Sequence, residues 1–155
     1  MEKEIRLIRK DDIAALKAVL NSIELFPSEL LDELTADYFT NTASEDIWFT
    51  SIENDTPISI GYCAPERLTD GTYNLYAIGV RKDNQGQGVG GQMMRYIEER
   101  LRKDNRRILI VETSGTPEFE LTRKFYEDLG YAKEAVIREF FEEGDDKVVY
   151  WKKLR

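Results

Sequence analysis

The sequence predicts a mixed α/β (α+β) chain: seven strands in one sheet with about four helices on its faces, in the order βααβββαβαββ. Three observations carry that reading. Apolar residues recur at helical spacing in three separate stretches. A meander of short strands, broken at Asn54-Asp55 and Asp70-Gly71, fills the middle of the chain. Glycines at 86, 88, 90 and 91 then crowd the junction between the last meander strand and a helix.

Each element follows from local pattern. Ile5 and Leu7 alternate with polar residues as a first strand, and Asp11 or Asp12 is placed to cap a helix carrying Ile13, Leu16, Val19, Leu20 and Ile23. Pro27 and Ser28 open a second helix with Leu30, Leu31, Leu34 and Tyr38 on its apolar side. Ile47 to Ile52, Ile58 to Ala64 and Tyr73 to Val80 are the meander strands. Beyond the glycines, Val89, Met93, Ile97 and Leu101 recur every four residues, with Glu98–Arg102 and Glu99–Lys103 as outward pairs. Ile108 to Thr113 reads as a buried strand. Pro117 starts a helix that stops at Gly130, and strands near Ala135–Phe141 and Lys147–Lys152 flank a turn at residues 143–146.

With 155 residues and no linker or repeat, one domain over residues 1–155 is expected. A formal charge of -8 argues against nucleic acid or an anionic membrane as a partner and suits a cationic substrate, although such a balance commonly serves solubility alone. The chain has no histidine and a single cysteine, Cys63, so neither a metal site, a Ser-His-Asp triad nor an internal disulfide is expected. The charged start lacks an apolar leader and no run is long enough to span a bilayer, which points to a cytoplasmic protein.

The glycine-rich junction is a phosphate cradle: free N–H groups at a helix start face an anion, with the positive end of the helix dipole behind them. Gly86, Gly88 and Gly91 match the dinucleotide fingerprint G-x-G-x-x-G, and Glu112 lies about twenty residues on. The context argues against it, because Arg81 to Gln85 separate strand from glycines and the element follows an antiparallel meander. No Lys-Ser/Thr follows the last glycine, so a P-loop fails.

Gln85-Gly86-Gln87-Gly88-Val89-Gly90 resembles the Q/R-x-x-G-x-G/A signature of the GNAT superfamily of N-acetyltransferases. Leu75 to Val80 precedes it as the family's strand does, and Phe125-Tyr126-Glu127-Asp128-Leu129-Gly130-Tyr131 resembles the family's second motif. Val111 to Gly115 and Gly144 to Lys147 resemble a bacterial subgroup. The likeness runs over essentially the whole chain. It implies a mostly antiparallel sheet and transfer of an acetyl group from acetyl-CoA, as cosubstrate, to a primary amine on a small molecule or protein, without a metal. The family commonly dimerises, and the long last strands are the edges expected to serve a homodimer.

Amide formation from a thioester sets three tasks: the ammonium must lose a proton, the oxyanion needs donors, and the thiolate is helped by a proton. By resemblance, amides of Gln85, Gly86, Gln87, Gly88, Val89 and Gly90 hold the diphosphate. Backbone groups of Ile78 and Val80 hold the pantetheine arm in a slot beside Gly79, whose amide polarises the carbonyl. Gly79 alternatively serves packing alone. Phe125 and Tyr126 border the cofactor, with Tyr126 as general acid and Phe125 packed on the sheet. Glu112 and Glu66 are the candidate bases, although a carboxylate of ordinary pKa about 4.3 must be partly buried to serve, and ion pairing is its commoner fate. Phe119 stands where the family often has an asparagine, and Arg123 and Lys124 lie within reach of phosphates. A catalytically silent acyl-CoA sensor on the same scaffold is the competing reading.

Overall fold

The computed structural model describes residues 3–155. Strand β1 (Glu4–Leu7) pairs antiparallel with β2 (Ile47–Glu53), and a short turn of 3-10 helix precedes each of the helices between them. These are α1 (Ile13–Ser22), which buries Leu16, Val19 and Leu20, and α2 (Leu31–Thr40). Two local expectations are corrected. Asp12 makes no side-chain cap to α1. Its carboxylate turns back to accept the Arg9 N–H at 2.7 Å and two Arg6 guanidinium N–H groups at 2.7 and 3.0 Å. A bidentate guanidinium–carboxylate pair makes two charge-assisted bonds where a cap would make one, so the arginine partner wins. In α2 the buried stripe is Leu31 and Thr35, with Tyr38 half-buried, while Leu30 and Leu34 flank it and remain 42% and 40% exposed. The 3-10 turn at Ser28–Leu30 has three residues per turn, which shifts the phase of the apolar stripe.

Asn54 and Asp55 turn the chain with φ of 51° and 62°, as a tight hairpin requires. The next strand is split into β3 (Thr56–Pro57) and β4 (Ser59–Pro65). The Ser59 hydroxyl accepts the Ser51 N–H at 2.8 Å where a backbone carbonyl would ordinarily serve, and Pro57 has no N–H to give. The sheet thus has eight strands where seven were expected. After β5 (Thr72–Val80) come α3 (Val89–Lys103), β6 (Ile108–Ser114), α4 (Glu120–Asp128), β7 (Ala132–Glu142) and β8 (Asp145–Lys153). Hydrogen-bonded order is β1-β2-β4-β5-β6-β8-β7, with β3 on β2, and the β5–β6 pairing is parallel.

The chain divides into two compact units: the described residues up to Ala64 with Tyr76–Glu99, and Pro65–Leu75 with Arg100–Arg155. In the first, Ile8, Leu16, Val19, Leu20, Leu31, Trp48 and Ile60 form one buried cluster. Helix α3 buries Val89, Met93, Ile97 and Leu101, as its period demands. It also buries Met94 and, four residues on, Glu98, which the sequence placed outward. In the second unit β6 pairs with β8 along its whole length, Ile108 opposite Lys153 and Ser114 opposite Lys147. Gly130, with φ of 91°, ends α4, and the Tyr131 N–H closes the turn on the Tyr126 carbonyl at 3.1 Å. The last hairpin is tighter than expected. Its strands are longer and only Glu143 and Gly144 lie between them. Strand β7 is exposed along its whole length.

Candidate functional site

The glycine loop belongs wholly to the first unit. Gly86 and Gly88 have φ of 77° and 79°, the left-handed region that side chains disfavour, and a Cβ on either would meet nothing within 4 Å. Space above both is therefore open to a ligand. Gly90 and Gly91 are not in that region. They lie in the first turn of α3, which begins at Val89. The Gln92 N–H donates to the Gly88 carbonyl at 3.1 Å, and by helix geometry the N–H groups ahead of it lie beyond the ladder. Val89 is buried, so only its backbone is available to a ligand, while Gln85 and Gln87 are exposed.

A network missed by the sequence reading holds this loop. Asn84, only 4% exposed, donates from Nδ2 to Glu53 Oε2 at 2.8 Å and accepts at Oδ1 from Arg81 Nε, also at 2.8 Å. Lys3 Nζ donates to Glu53 Oε1 at 2.9 Å, and Arg81 reaches the same carboxylate at 3.9 Å. Bonds from Lys3 and Asn84, followed by the charges of Lys3 and Arg81, hold the Glu53 carboxyl below the usual range. Backbone ties complete the anchor: Arg81 N–H to the Ile58 carbonyl at 2.8 Å, Lys82 N–H to the Ser22 hydroxyl at 3.2 Å, and Gln85 Nε2 to the Val80 carbonyl at 3.0 Å. The sequence signal was weak: an asparagine and a glutamate 31 positions apart.

Ile78, Gly79 and Val80 are half-buried at the end of β5. A Cβ on Gly79 would lie 2.5 Å from Ile23 Cδ1 and 3.2 Å from Leu25 Cδ2. The segment after α1 therefore packs directly on this glycine, and packing alone requires a small residue there. Strict strand alternation is also broken nearby. Tyr76 stacks on Tyr62, which packs on the same cluster that faces Gly79, although residues three apart in a regular strand point to opposite faces.

In the second unit, Tyr126 is 4% exposed and its ring lies against those of Phe125, Tyr131 and Tyr150 at 5.2, 6.0 and 5.8 Å. Burial pushes its phenol well above the ordinary tyrosine value. Its neighbour Phe125, expected to be the packed residue, is only half-buried, because one helical step of about 100° separates the two. Tyr150, likewise raised to about 12 by burial and then by its bond to Glu127, donates to that carboxylate at 2.7 Å.

The two carboxylate candidates differ. Glu112 is 3.3 Å from Lys147 Nζ, which also stands 3.8 Å from the centre of the Phe140 ring. Glu66, half-buried just past β4, accepts Asn74 Nδ2 at 2.8 Å. Asn74 Oδ1 is buried with no hydrogen-bond partner. Arg123 donates to the Ser114 and Thr116 carbonyls, each at 2.8 Å, and Lys124 pairs with Asp128, so both cations have local employment. Phe119 is 41% exposed. Among the described residues there is no group of three or more His, Cys, Asp or Glu placed to hold a metal, and no helix long and apolar enough to cross a membrane.

Comparison with known structures follows the fold. A GNAT-family protein from Desulfovibrio desulfuricans is 28% identical over 99% of this chain and 100% of its own, with a TM-score of 0.92. A ribosomal-protein-S18-alanine N-acetyltransferase from Escherichia coli is 16% identical over 99% and 94%, with a TM-score of 0.78. The yncA structure from Salmonella typhimurium, which holds acetyl-CoA, is 17% identical over 100% and 95%, with a TM-score of 0.81. No curated protein matches the chain. A family model described as an acetyltransferase (GNAT) domain matches residues 44–133, a span that takes in the meander, the glycine loop and α4. The chain belongs to the GNAT acetyltransferase family.

Proposed function

We propose that the protein transfers an acetyl group from acetyl-CoA to a primary amine by direct attack within a ternary complex. One observation carries the reading: Gly86 and Gly88 present backbone under open space at the start of a fifteen-residue helix, on a loop anchored through Asn84. Such a surface fits a diphosphate, since a side chain at either glycine would fill the cradle. The yncA structure holding acetyl-CoA supports the choice of donor, and the S18-alanine acetyltransferase supports an amine acceptor.

The bound thioester supplies an activated carbonyl. Amides from Gln85 to Gly90 grip the diphosphate, and backbone groups of Ile78 and Val80 align the arm. The ammonium loses one proton to a base. The neutral nitrogen then attacks the carbonyl, the C–N bond forms and the C–S bond breaks. The nitrogen sheds its second proton and the thiolate takes one up, so the balance is amide, free thiol and one proton released. By its position in the family's second motif Tyr126 is assigned as the donor to sulfur, and burial raises its phenol further above the ordinary value. Glu66 and Glu112 are the candidate bases, the first bonded by Asn74 and the second paired with Lys147. Val136, Ile137, Phe140 and Phe141, 44–53% exposed on the edge strand β7, support a homodimer there, testable by sedimentation of Phe140→Glu.

The direct experiment measures thiol release from acetyl-CoA across a panel of amines. Turnover on at least one amine is expected. Binding of acetyl-CoA with no turnover on any amine would favour the silent sensor, and no binding at millimolar donor would end both readings.

A further inference from the structure

We infer that the acceptor carries a second ammonium that stays charged, as in a small aliphatic diamine or polyamine, and that Tyr76, Tyr62 and Asp46 hold that second charge. The inference rests on the acetyl-transfer reading for what happens at the other nitrogen. The cation site itself stands on geometry within the first unit.

Trp48 on β2 and Tyr62 on β4 are register partners, and their rings stack at 4.1 Å with planes 8° apart. Tyr76 on β5 continues the pile at 5.6 Å and 30°. Burial falls steadily along it, from Trp48 at 0% through half-buried Tyr62 to Tyr76 at 52% exposed. A pile of rings that ends in water presents a π surface of negative potential, the surface on which organic cations settle.

A carboxylate stands at its edge. The Tyr62 hydroxyl lies 3.5 Å from Asp46 Oδ2, just ahead of β2. Asp46 is half-buried, and Asp37 is near enough to repel it. Neither aspartate has an ion-pair partner among the described residues. Elsewhere in this unit, buried Asp12 is compensated by Arg6 and half-buried Glu53 by Lys3. Uncompensated negative charge at the edge of Tyr62, one ring in from the half-exposed Tyr76, is complementary to an alkylammonium.

The chemistry then selects which nitrogen sits there. The attacking nitrogen must be neutral, so a site that stabilises an ammonium would oppose reaction if it held that nitrogen. It suits a second amine, which by analogy with lysine has a pKa of about 10 and keeps its proton at neutral pH. Tyr76 is two residues from Ile78 along β5, about 7 Å at strand rise, so a spacer of a few methylenes links the cation site to the position proposed for the thioester.

Calorimetric titration of the full chain with 1,4-diaminobutane and with 1-aminobutane at neutral pH tests this. The diamine should bind about tenfold more tightly. Asp46→Asn and Tyr76→Ala should each bring the two ligands to within about twofold, while Tyr76→Phe, which keeps the ring, should retain the preference. Thermal melts establish that the variants fold. No preference in the wild type, a preference that survives both Asp46→Asn and Tyr76→Ala, or tighter binding of 2-phenylethylamine than of the diamine would overturn the inference. Transfer to other amines but none to a diamine that binds through both residues would overturn the inference, whereas transfer to no amine at all would refute the transfer reading and leave the cation site standing.

Discussion

Asn84 Nδ2 lies 2.8 Å from Glu53 Oε2, and through that bond the turn leading into the glycine loop is pinned to the end of β2. Asn84 bridges, since its carbonyl oxygen simultaneously receives Arg81 Nε. The backbone of residues 81–85 is thus set by a neighbouring strand before any ligand arrives, and the exposed glycines that follow inherit that placement. Bonds from Lys3 and Asn84 hold the Glu53 carboxyl below its ordinary value.

Removing the bridge should therefore loosen the loop without touching the chemistry. Asn84→Ala is expected to raise KM for acetyl-CoA about tenfold and leave kcat within about twofold. An acetyl thioester of pantetheine, which has no diphosphate, should be used equally by both proteins. Equal losses with both donors would show that Asn84 acts on general stability instead.

Tyr126→Phe separates acid catalysis from packing. The ring contacts with Tyr131 and Tyr150 survive the change, so folding should be nearly unaffected. Loss of the proton donor should lower kcat by roughly 10²-fold with KM for acetyl-CoA unchanged. Because burial raises its pKa, the donating form persists to higher pH than in a free tyrosine, and no falling limb from this group is expected below about pH 10. Steady-state rates from pH 6 to 10 test both parts, and full activity of the variant throughout would remove Tyr126 from the mechanism.

Gly61 sits opposite Phe49 in the β2–β4 register, and a Cβ there would lie 2.4 Å from Phe49 Cζ and 2.6 Å from two more ring atoms. That ring is fully buried. Gly61→Ala should cost about 2–3 kcal/mol in urea unfolding, as overpacking of a rigid core does. Gly79→Ala should cost less, about 1 kcal/mol, because the end of the Ile23 side chain can swing away.

The Arg6–Asp12 pair makes an acid-stability prediction. Burial pushes the Asp12 carboxyl up, but bonds from Arg6 and the Arg9 N–H outweigh it and hold the pKa below its ordinary value. A depressed pKa adds stability above the unfolded value of about 3.9 and loses it as pH falls through the folded one. Asp12→Asn should cost about 2 kcal/mol at pH 7. The gap to wild type should shrink below about pH 4 in parallel chemical-denaturation curves. A gap independent of pH would mean that the charge contributes nothing.

Much of this was legible along the chain. The α3 stripe from Val89 to Leu101, the Asn54-Asp55 turn and the Gly130 stop depend on residues within a few positions of one another, and helical period and backbone preference act over that range. The glycine motif was legible for the same reason: left-handed backbone at Gly86 and Gly88 is a local property. The phase of α2, the splitting of β3 from β4 and the burial of Tyr126 in place of Phe125 were not, because each depends on what packs alongside.

From composition and local pattern alone came the element order, the glycine-rich loop at the start of a helix and the absence of histidine. Tertiary structure alone decided that Asn84 meets Glu53, that Lys147 engages Glu112, and that Trp48, Tyr62 and Tyr76 stack beside an uncompensated Asp46. Side chains reach only a few ångströms, so residues far apart in the chain become partners only after strand pairing has chosen which backbones lie next to each other.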